Sequence, residues 1–159
     1  MRKAIRSPIL ALALVIALTG SAVATASSGF HPTIVSRATL STSVHYNTGA
    51  VKFQTKGPVD FVTATLTIDP SGSSGWHHHP GVVLVSVTSG SIVEYDSSCV
   101  GTVHTAGTPS AAFTESGNEP GLVRNESTTT PETAYVTYLV PAGTTALRID
   151  DANPGCPQN

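Results

Sequence analysis

The sequence predicts an all-β protein built as a sandwich or a small barrel. Strong helix formers at 3.6-residue spacing are absent after the N-terminal apolar segment, whereas Thr, Ser, Val and Gly dominate. Short segments of β-forming residues recur at even spacing, separated by turns that contain Gly and Pro. The segment from Val62 to Ile68 alternates strictly between apolar and hydroxyl side chains, which is typical of a half-buried strand.

The N-terminus has the features of a secretory signal peptide, which we assign to residues 1–26. Positive charges at residues 2–6 precede an apolar run at residues 9–18, and small residues follow. We expect cleavage after Ala26, with cleavage after Ala24 as the second choice. The apolar run is short for a membrane span, and a retained anchor is the alternative. The sequence therefore predicts a secreted protein, extracellular or associated with the cell envelope, with no stable membrane anchor after cleavage.

The rest of the chain has the length of one domain. We expect an N-terminal arm and first strand at residues 27–54, a β-barrel at 55–149 and a C-terminal tail at 150–159. Residues 69–75 are rich in Ser and Gly and are predicted to form a turn or loop after the first clear strand. Further strands are predicted at residues 82–87, 92–95, 101–105, 111–113, 121–125, 133–140 and 146–149.

Charge is sparse and nearly balanced, with 8 Lys and Arg against 10 Asp and Glu. No basic patch is available to neutralise phosphates, so the sequence argues against nucleic acid as a partner. No Ser lies in a nucleophile-elbow context, and no Ser-His-Asp or Cys-His triad can be argued.

The two cysteines, Cys99 and Cys156, both lie in the part predicted to be exported. In an oxidising compartment an even pair is most simply a disulfide, which here would tie the C-terminal tail to a mid-chain loop. Two free, inert thiols are the alternative.

The segment Gly75-Trp76-His77-His78-His79-Pro80 is the main candidate for chemistry. Neutral imidazole is the commonest protein ligand of transition metals, and alternate side chains of a strand share one face. His77 and His79 would therefore converge, with His78 on the other face. Two imidazoles are half of a metal site, because such sites need three or four protein ligands.

The spacing of His77 and His79 to Gly90 resembles the first motif of the cupin superfamily. In that motif a Glu follows the His-x-His pair and a Gly ends the segment. The resemblance implies a cupin-type double-stranded β-helix, which is a jelly-roll-like small barrel. It places the Glu at Val83. The second cupin motif resembles residues 107–125, and there the motif's His falls on Gly121, so two of the four ligand positions lack a ligating side chain.

Most of residues 55–157 is also similar to a group of secreted actinobacterial cupin-domain proteins. The matching segments are His77 to Pro80, Val123 to Glu126, Tyr138 to Gly143 and Cys156-Pro157. This resemblance implies an exported barrel of unsettled activity. Pairing of two copies through sheet edges, giving a homodimer, is a further implication of the cupin resemblance.

Glu119 is the carboxylate that we expect as a third ligand, because it lies where the similar proteins have a His. It would complete a two-His-one-carboxylate site for a divalent transition metal such as Fe, Mn, Zn or Ni. The alternative is a solvated loop glutamate and no metal at all. Glu115, expected to be equally exposed, is a competitor, and His104 on an adjacent strand is a weaker one.

Trp76 and Arg124 are candidate ligand-binding residues. Trp76 would form one wall of a ligand pocket or stack on a sugar. The alternative is that its side chain only packs in the core or at the rim of the barrel. Arg124 would hold a carboxylate ligand bidentately if it faces inward, and otherwise forms a surface ion pair of little energetic consequence.

Three functions remain open from the sequence. The first is a secreted barrel that binds a small molecule or a metal through its His-x-His pair. The second is a metal-dependent enzyme, an oxygenase or isomerase, that uses a two-His-one-carboxylate site. The third is a structural or interaction barrel without a working site, because a fold alone fixes no function.

Overall fold

The computed structural model describes residues 23–158, so nearly all of the predicted signal peptide lies outside the described residues. The described part is all-β and contains no helix, and hence none that could cross a membrane. Its strands are β1 (Ser28–Leu40), β2 (His45–Asn47), β3 (Lys52–Gln54), β4 (Val59–Ser73), β5 (His77–His78), β6 (Val82–Ser89), β7 (Ser91–Tyr95), β8 (Gly101–Thr105), β9 (Ala112–Ser116), β10 (Leu122–Asn125), β11 (Glu132–Pro141) and β12 (Ile149–Asp150).

Strand β4 joins the two halves of an antiparallel barrel. Its first part, Val59 to Ile68, pairs with β11, which pairs on its other edge with β6, and β6 pairs with β9. Its last residue, Ser73, pairs with Arg124 of β10, which continues through β7 to β8. The predicted all-β, jelly-roll-like small barrel is confirmed.

The corner of β4 differs from the prediction of a turn at residues 69–75, because the strand continues to Ser73. Ser71 takes the bend with a left-handed φ of 60°. Gly72 allows close approach of β1, since a Cβ there would lie 2.7 Å from the carbonyl oxygen of Gly29. The polar, Gly-containing segment is therefore a bent continuation of the strand that passes from one half of the barrel to the other.

Asn125 fixes this corner from inside the protein. Its side chain is fully buried, and Nδ2 donates to the carbonyl oxygens of Ile68 and Thr130. Its Oδ1 accepts a hydrogen bond from the backbone N–H of Ser127. The carbonyl of Ile68, where β4 departs from β11, thereby has a hydrogen-bond partner.

The strict alternation seen in the sequence gives β4 an inward face that forms part of the main hydrophobic core. Alternate residues of β4 point inward, from Val62 to Ile68, and pack against inward residues of β6 and β11. Ile92 of β7 and Val123 of β10 belong to the same cluster, so both halves enclose it. Burying each Val, Leu, Ile or Phe side chain of this cluster contributes about 1.5–3 kcal/mol.

Both ends of the described chain pack onto the barrel. Strand β1, which the sequence places in an N-terminal arm, pairs with β4 from Leu40 back to Ser28. At the other end β12 pairs with β5, so Ile149 lies opposite His78 and Asp150 opposite His77. We call residues 144–158 the C-terminal strap.

The predicted disulfide between Cys99 and Cys156 is present and fastens the strap. Cys156 belongs to a second, smaller cluster with the fully buried Trp76 and Leu122. Asn153 Oδ1 accepts the N–H groups of Gly155 and Cys156, which orders the turn before the bridge.

Replacing both cysteines by alanine is expected to lower the free energy of unfolding by about 4 kcal/mol, because the bridge closes a loop across a sequence separation of 57 residues. Urea denaturation monitored by tryptophan fluorescence measures the change. A reductant should destabilise the natural protein by a similar amount and leave the double variant unaffected. Equal midpoints for the two proteins would contradict this expectation.

Candidate metal and ligand site

His77 is held in place by backbone pairing on a short strand. Its N–H donates to the carbonyl of Gly121 and its own carbonyl accepts the N–H of Gly121, each at 2.9 Å. Just before it, Gly75 takes a left-handed φ of 68° and packs against the carbonyl oxygen of Thr25, which a Cβ at Gly75 would approach to 2.6 Å. The chain thus enters the strand in one fixed direction, with His77 and His79 facing inward.

Two backbone carbonyls fix the tautomers of His77 and His79. Nδ1 of His77 lies 2.9 Å from the carbonyl oxygen of Gly75, and Nδ1 of His79 lies 2.6 Å from that of Leu147 in the strap. A carbonyl oxygen can only accept, so Nδ1 must carry the proton in both rings. Nε2 of each neutral imidazole is left with a lone pair. The rings lie 4.8 Å apart and nearly perpendicular.

Glu115 brings a carboxylate to the same place. Nε2 of His79 lies 3.2 Å from Oε2 of Glu115, is buried, and makes no hydrogen bond of acceptable geometry with a described residue. One ligand atom each from His77, His79 and Glu115 lies within 4.8 Å of the other two. No other group of three or more such side chains converges in this way within residues 23–158.

The carboxylate reaches this position by strand pairing. Glu115 of β9 is the register partner of Val83 of β6, and directly opposite residues of an antiparallel pair project on the same face. Val83 is fully buried, so Glu115 also points toward the interior, and its side chain is 14% exposed. The expectation that Glu115 is as exposed as Glu119 is wrong, because β9 continues to Ser116 rather than ending at Phe113.

Burial and mutual contact set the charges of the three groups. Burial lowers the pKa of His77 to about 4, although the nearby Glu115 opposes this shift. Burial alone would raise the pKa of Glu115, but contact with a protonated His79 ring and the positive charge of a protonated His77 outweigh burial and lower it. At neutral pH the site therefore offers a neutral His77 imidazole and an ionised carboxylate, which is the protonation state that binds a metal.

The group forms a wall between two cavities. The inner cavity, about 340 Å³, lies within the barrel and is lined mostly by apolar side chains, with Tyr138 and Arg148 near the histidines. The outer cleft, about 290 Å³, is lined by polar loop residues. His77, His79 and Glu115 border both, so a group bound by them is reachable from either side.

Of the residues predicted for the site, His77 and His79 come together as expected. Glu119 is exposed and lines the outer cleft, but it does not belong to the converging group. Trp76 is fully buried beneath the strap and donates Nε1–H to the carbonyl of Gln158. Nε of Arg124 lies 3.3 Å from Glu126, and Arg124 lines neither the inner cavity nor the outer cleft.

The two remaining histidines considered as neighbours have other partners. Nδ1 of His78 lies 2.7 Å from Oδ2 of Asp151, which ties the histidine strand to the strap. Nε2 of His104 lies 3.1 Å from Glu94, and its ring stacks on Phe113. His104 is therefore part of a separate polar pair beside the site.

The sequence did not predict a role for Tyr138 or Arg148, or the inward orientation of Glu115. Alternation continued from Phe113 would have placed Glu115 inward, and this was the available signal. Arg148 reaches the cavity only because the strap folds back over the barrel, which no local pattern encodes.

No family model matches the chain, and no curated protein matches it. Similar solved structures include a cupin domain from Bordetella pertussis Tohama I (18% identity, 70% of this chain and 93% of that chain, TM-score 0.46). A double-stranded β-helix protein from Klebsiella pneumoniae has 14% identity over 70% of this chain and 85% of that chain, with a TM-score of 0.47. An oxalate oxidase has 18% identity over 52% of this chain, which spans about half (46%) of the oxidase's length, with a TM-score of 0.42. Because these TM-scores lie below 0.5, we take the fold from this chain's own strand pairings and the site from its own side chains.

The metal-free protein is expected to lose stability through His77 as the pH falls. An unfolded imidazole binds a proton below about pH 6.5, whereas folded His77 does so only near a pKa of about 4. The unfolded state therefore takes up the proton first, and stability fully present above pH 6.5 declines toward pH 4 by about 3 kcal/mol. Urea denaturation in the presence of a chelator at pH 7.5 and 4.5 measures this loss.

The variant His77→Gln isolates the contribution of His77 to this pH dependence. Between pH 7.5 and 4.5 its free energy of unfolding should fall by about 2–3 kcal/mol less than that of the natural protein. His45→Gln, on the exposed strand β2, is the matched control and should follow the natural protein. Parallel losses in all three proteins would show that His77 is not the group responsible.

Proposed function

We propose that the protein is an exported cupin-type barrel that binds one divalent transition metal through His77, His79 and Glu115. The observation that carries this proposal is the pair of Nδ1–H···O=C hydrogen bonds, which direct two buried Nε2 lone pairs at a buried carboxylate. Acceptors that face one another without a proton or cation between them are unfavourable, and a metal ion satisfies all three.

The donor set suits Fe, Mn, Zn or Ni, which accept imidazole nitrogen together with carboxylate oxygen. Three protein ligands on one side leave further coordination positions open, and both cavities border the group. The Nδ1–H group of each imidazole donates a hydrogen bond to a backbone carbonyl. Metal-ligating histidines usually make such a bond with the ring nitrogen that does not bind the metal. A metal held here would act as a Lewis acid toward a bound small molecule.

The pairing of Val83 with Glu115 supports a cupin-type site with its carboxylate moved to the neighbouring strand. The cupin resemblance expects a glutamate at Val83, where the chain has a fully buried apolar residue. Glu115 presents its carboxylate from the directly opposite position on β9. Gly121 occupies the position where the second cupin motif has its His, and it has no side chain to bind a metal. Its backbone pairs with His77 instead.

A metal-dependent enzyme is the second candidate. It is favoured by the open side of the three-ligand group and by the inner cavity beside it, whose mostly apolar lining would displace water from a bound substrate. Tyr138 lines that cavity, and burial raises its pKa to about 12, so its hydroxyl is a proton donor at neutral pH. Binding of metal is common to both candidates, and turnover separates them.

Metal binding by matched variants tests the proposal. The dialysed protein is expected to bind one equivalent of Zn²⁺ or Mn²⁺ in a calorimetric titration, and His77→Ala/His79→Ala is expected to bind none. Glu115→Gln should weaken binding roughly tenfold or more, because it removes the charged ligand. Glu119→Gln, the same change at the carboxylate predicted from the sequence, should leave the affinity unchanged.

Circular dichroism of each variant establishes that it is folded. If Glu119→Gln lost more metal affinity than Glu115→Gln, the carboxylate ligand would be Glu119 and not Glu115. Absence of metal binding by the natural protein would overturn the proposal and leave a barrel without a metal site.

Export is part of the proposal, and the packing of Thr25 bears on where the signal peptide is cut. Thr25 Oγ1 accepts the N–H of Trp76 at 2.6 Å, and its N–H donates to the carbonyl of Asp151 at 2.9 Å. Cleavage after Ala26 would remove these contacts between the histidine loop and the strap, whereas cleavage after Ala24 keeps them. We therefore expect a mature chain that begins at Thr25.

Intact-mass spectrometry of the protein secreted from a bacterial host with its own leader measures the cut. A mass that corresponds to residues 25–159 is expected. A mature chain that begins at Ser27 would contradict the role given to Thr25, and an uncleaved or cell-retained product would contradict export.

A further inference from the structure

The lining of the inner cavity combines a large apolar part with a few polar groups at one end, which restricts the small molecules that can bind there. Most of its lining is apolar, with Phe30 from β1, Leu66 from β4 and Phe113 from β9 among the contributors. Its polar groups lie with the metal-site residues: Tyr138, whose ring is 5.5 Å from that of His79, and Arg148. Its volume of about 340 Å³ lies at the small end of the range for small-molecule sites, which favours a compact ligand.

Arg148 is placed to receive an anion. Its Nε donates to Oδ1 of Asp150, and its guanidinium carbon lies 6.0 Å from the centre of the Phe30 ring. Its two terminal NH₂ groups make no hydrogen bond with another described residue, and its side chain is only 23% exposed. Guanidinium pairs with a carboxylate through two parallel hydrogen bonds, which these groups remain available to make.

Tyr138 adds a neutral donor on the same wall. Its hydroxyl makes no hydrogen bond within residues 23–158, and the residue is 9% exposed. The hydroxyl is therefore available to donate to an oxygen of a ligand in the cavity that Tyr138 lines.

The charges near the polar end favour a monoanion once a metal is bound. Asp150 offsets Arg148, and Glu115 offsets one of the two charges of a divalent metal, which leaves one positive charge. This step rests on the proposed metal site, whereas the apolar lining, Arg148 and Tyr138 are present without it.

We propose that the inner cavity binds a compact apolar monocarboxylic acid, with its hydrocarbon part in the barrel and its carboxylate held by Arg148 and Tyr138 beside the metal. Arg148 and Tyr138 are thus specificity-determining residues for an apolar acid. A neutral or cationic molecule of the same size gains the apolar contacts but not the ion pair.

Titration with matched acid and amide probes tests this inference. Phenylacetate and hexanoate, with phenylacetamide and hexanamide as neutral counterparts, are titrated into the Zn²⁺-loaded and the metal-free protein and followed by NMR. Each acid is expected to bind at least tenfold more tightly than its amide. Arg148→Gln should weaken acid binding at least threefold more than amide binding, because only the acid forms the ion pair. Tyr138→Phe should weaken binding of both, since a carboxylate and an amide oxygen each accept from the hydroxyl. Both variants should still bind Zn²⁺. Tyr135→Phe, the same change on the outward face of β11, is the matched control and should have no effect.

The metal-free titration separates this inference from the proposed function. Acid binding by the metal-free protein that depends on Arg148 and Tyr138 supports the inference even if no metal is bound. Equal affinities for acid and amide, absence of acid binding at millimolar concentration, or acid binding unaffected by both substitutions would overturn the inference, while Zn²⁺ affinity reports on the metal site independently.

Discussion

The hydrogen bonds from two imidazoles to backbone carbonyls are the constraint on which the rest of the site depends. Because Gly75 and Leu147 each accept from Nδ1, both rings must present Nε2 inward, where they meet a carboxylate. Were either carbonyl displaced, that ring would be free to change tautomer or turn, and the three ligand groups would no longer converge. The proposed chemistry therefore depends on the position of the main chain as much as on the ligating side chains.

Much of the fold positions those two carbonyls. Gly75 is held by the packing of Thr25 against it, and Leu147 belongs to the strap that β12 and the disulfide fasten across the histidine strand. The same strap carries Arg148 to the inner cavity. The two ends of the described chain thus meet at the site, so forces that stabilise the tail also order the ligand groups.

The sequence predicted the parts that depend on local pattern. Period-2 alternation identified the strand from Val62 to Ile68, and the spacing of His77 and His79 identified the inward pair. It favoured Glu119 over Glu115 as the carboxylate, since Glu115 becomes a neighbour of the histidines only through the register of β9 on β6, which is a non-local property. Likewise the position of Trp76 next to the histidines predicts an aromatic wall of the ligand site. In the structure Trp76 is instead buried against Leu122 and the disulfide.

The most direct test of this account is the nitrogen NMR spectrum of the histidine rings in the protein saturated with Zn²⁺. The ring nitrogen that carries a proton and the one that binds the metal have distinct shifts, so the spectrum reports both for each histidine. We predict that His77 and His79 both retain the proton on Nδ1 and bind the metal through Nε2, with the other histidines unaffected. Metal bound through Nδ1, or ring shifts of His77 and His79 that do not respond to Zn²⁺, would contradict the account.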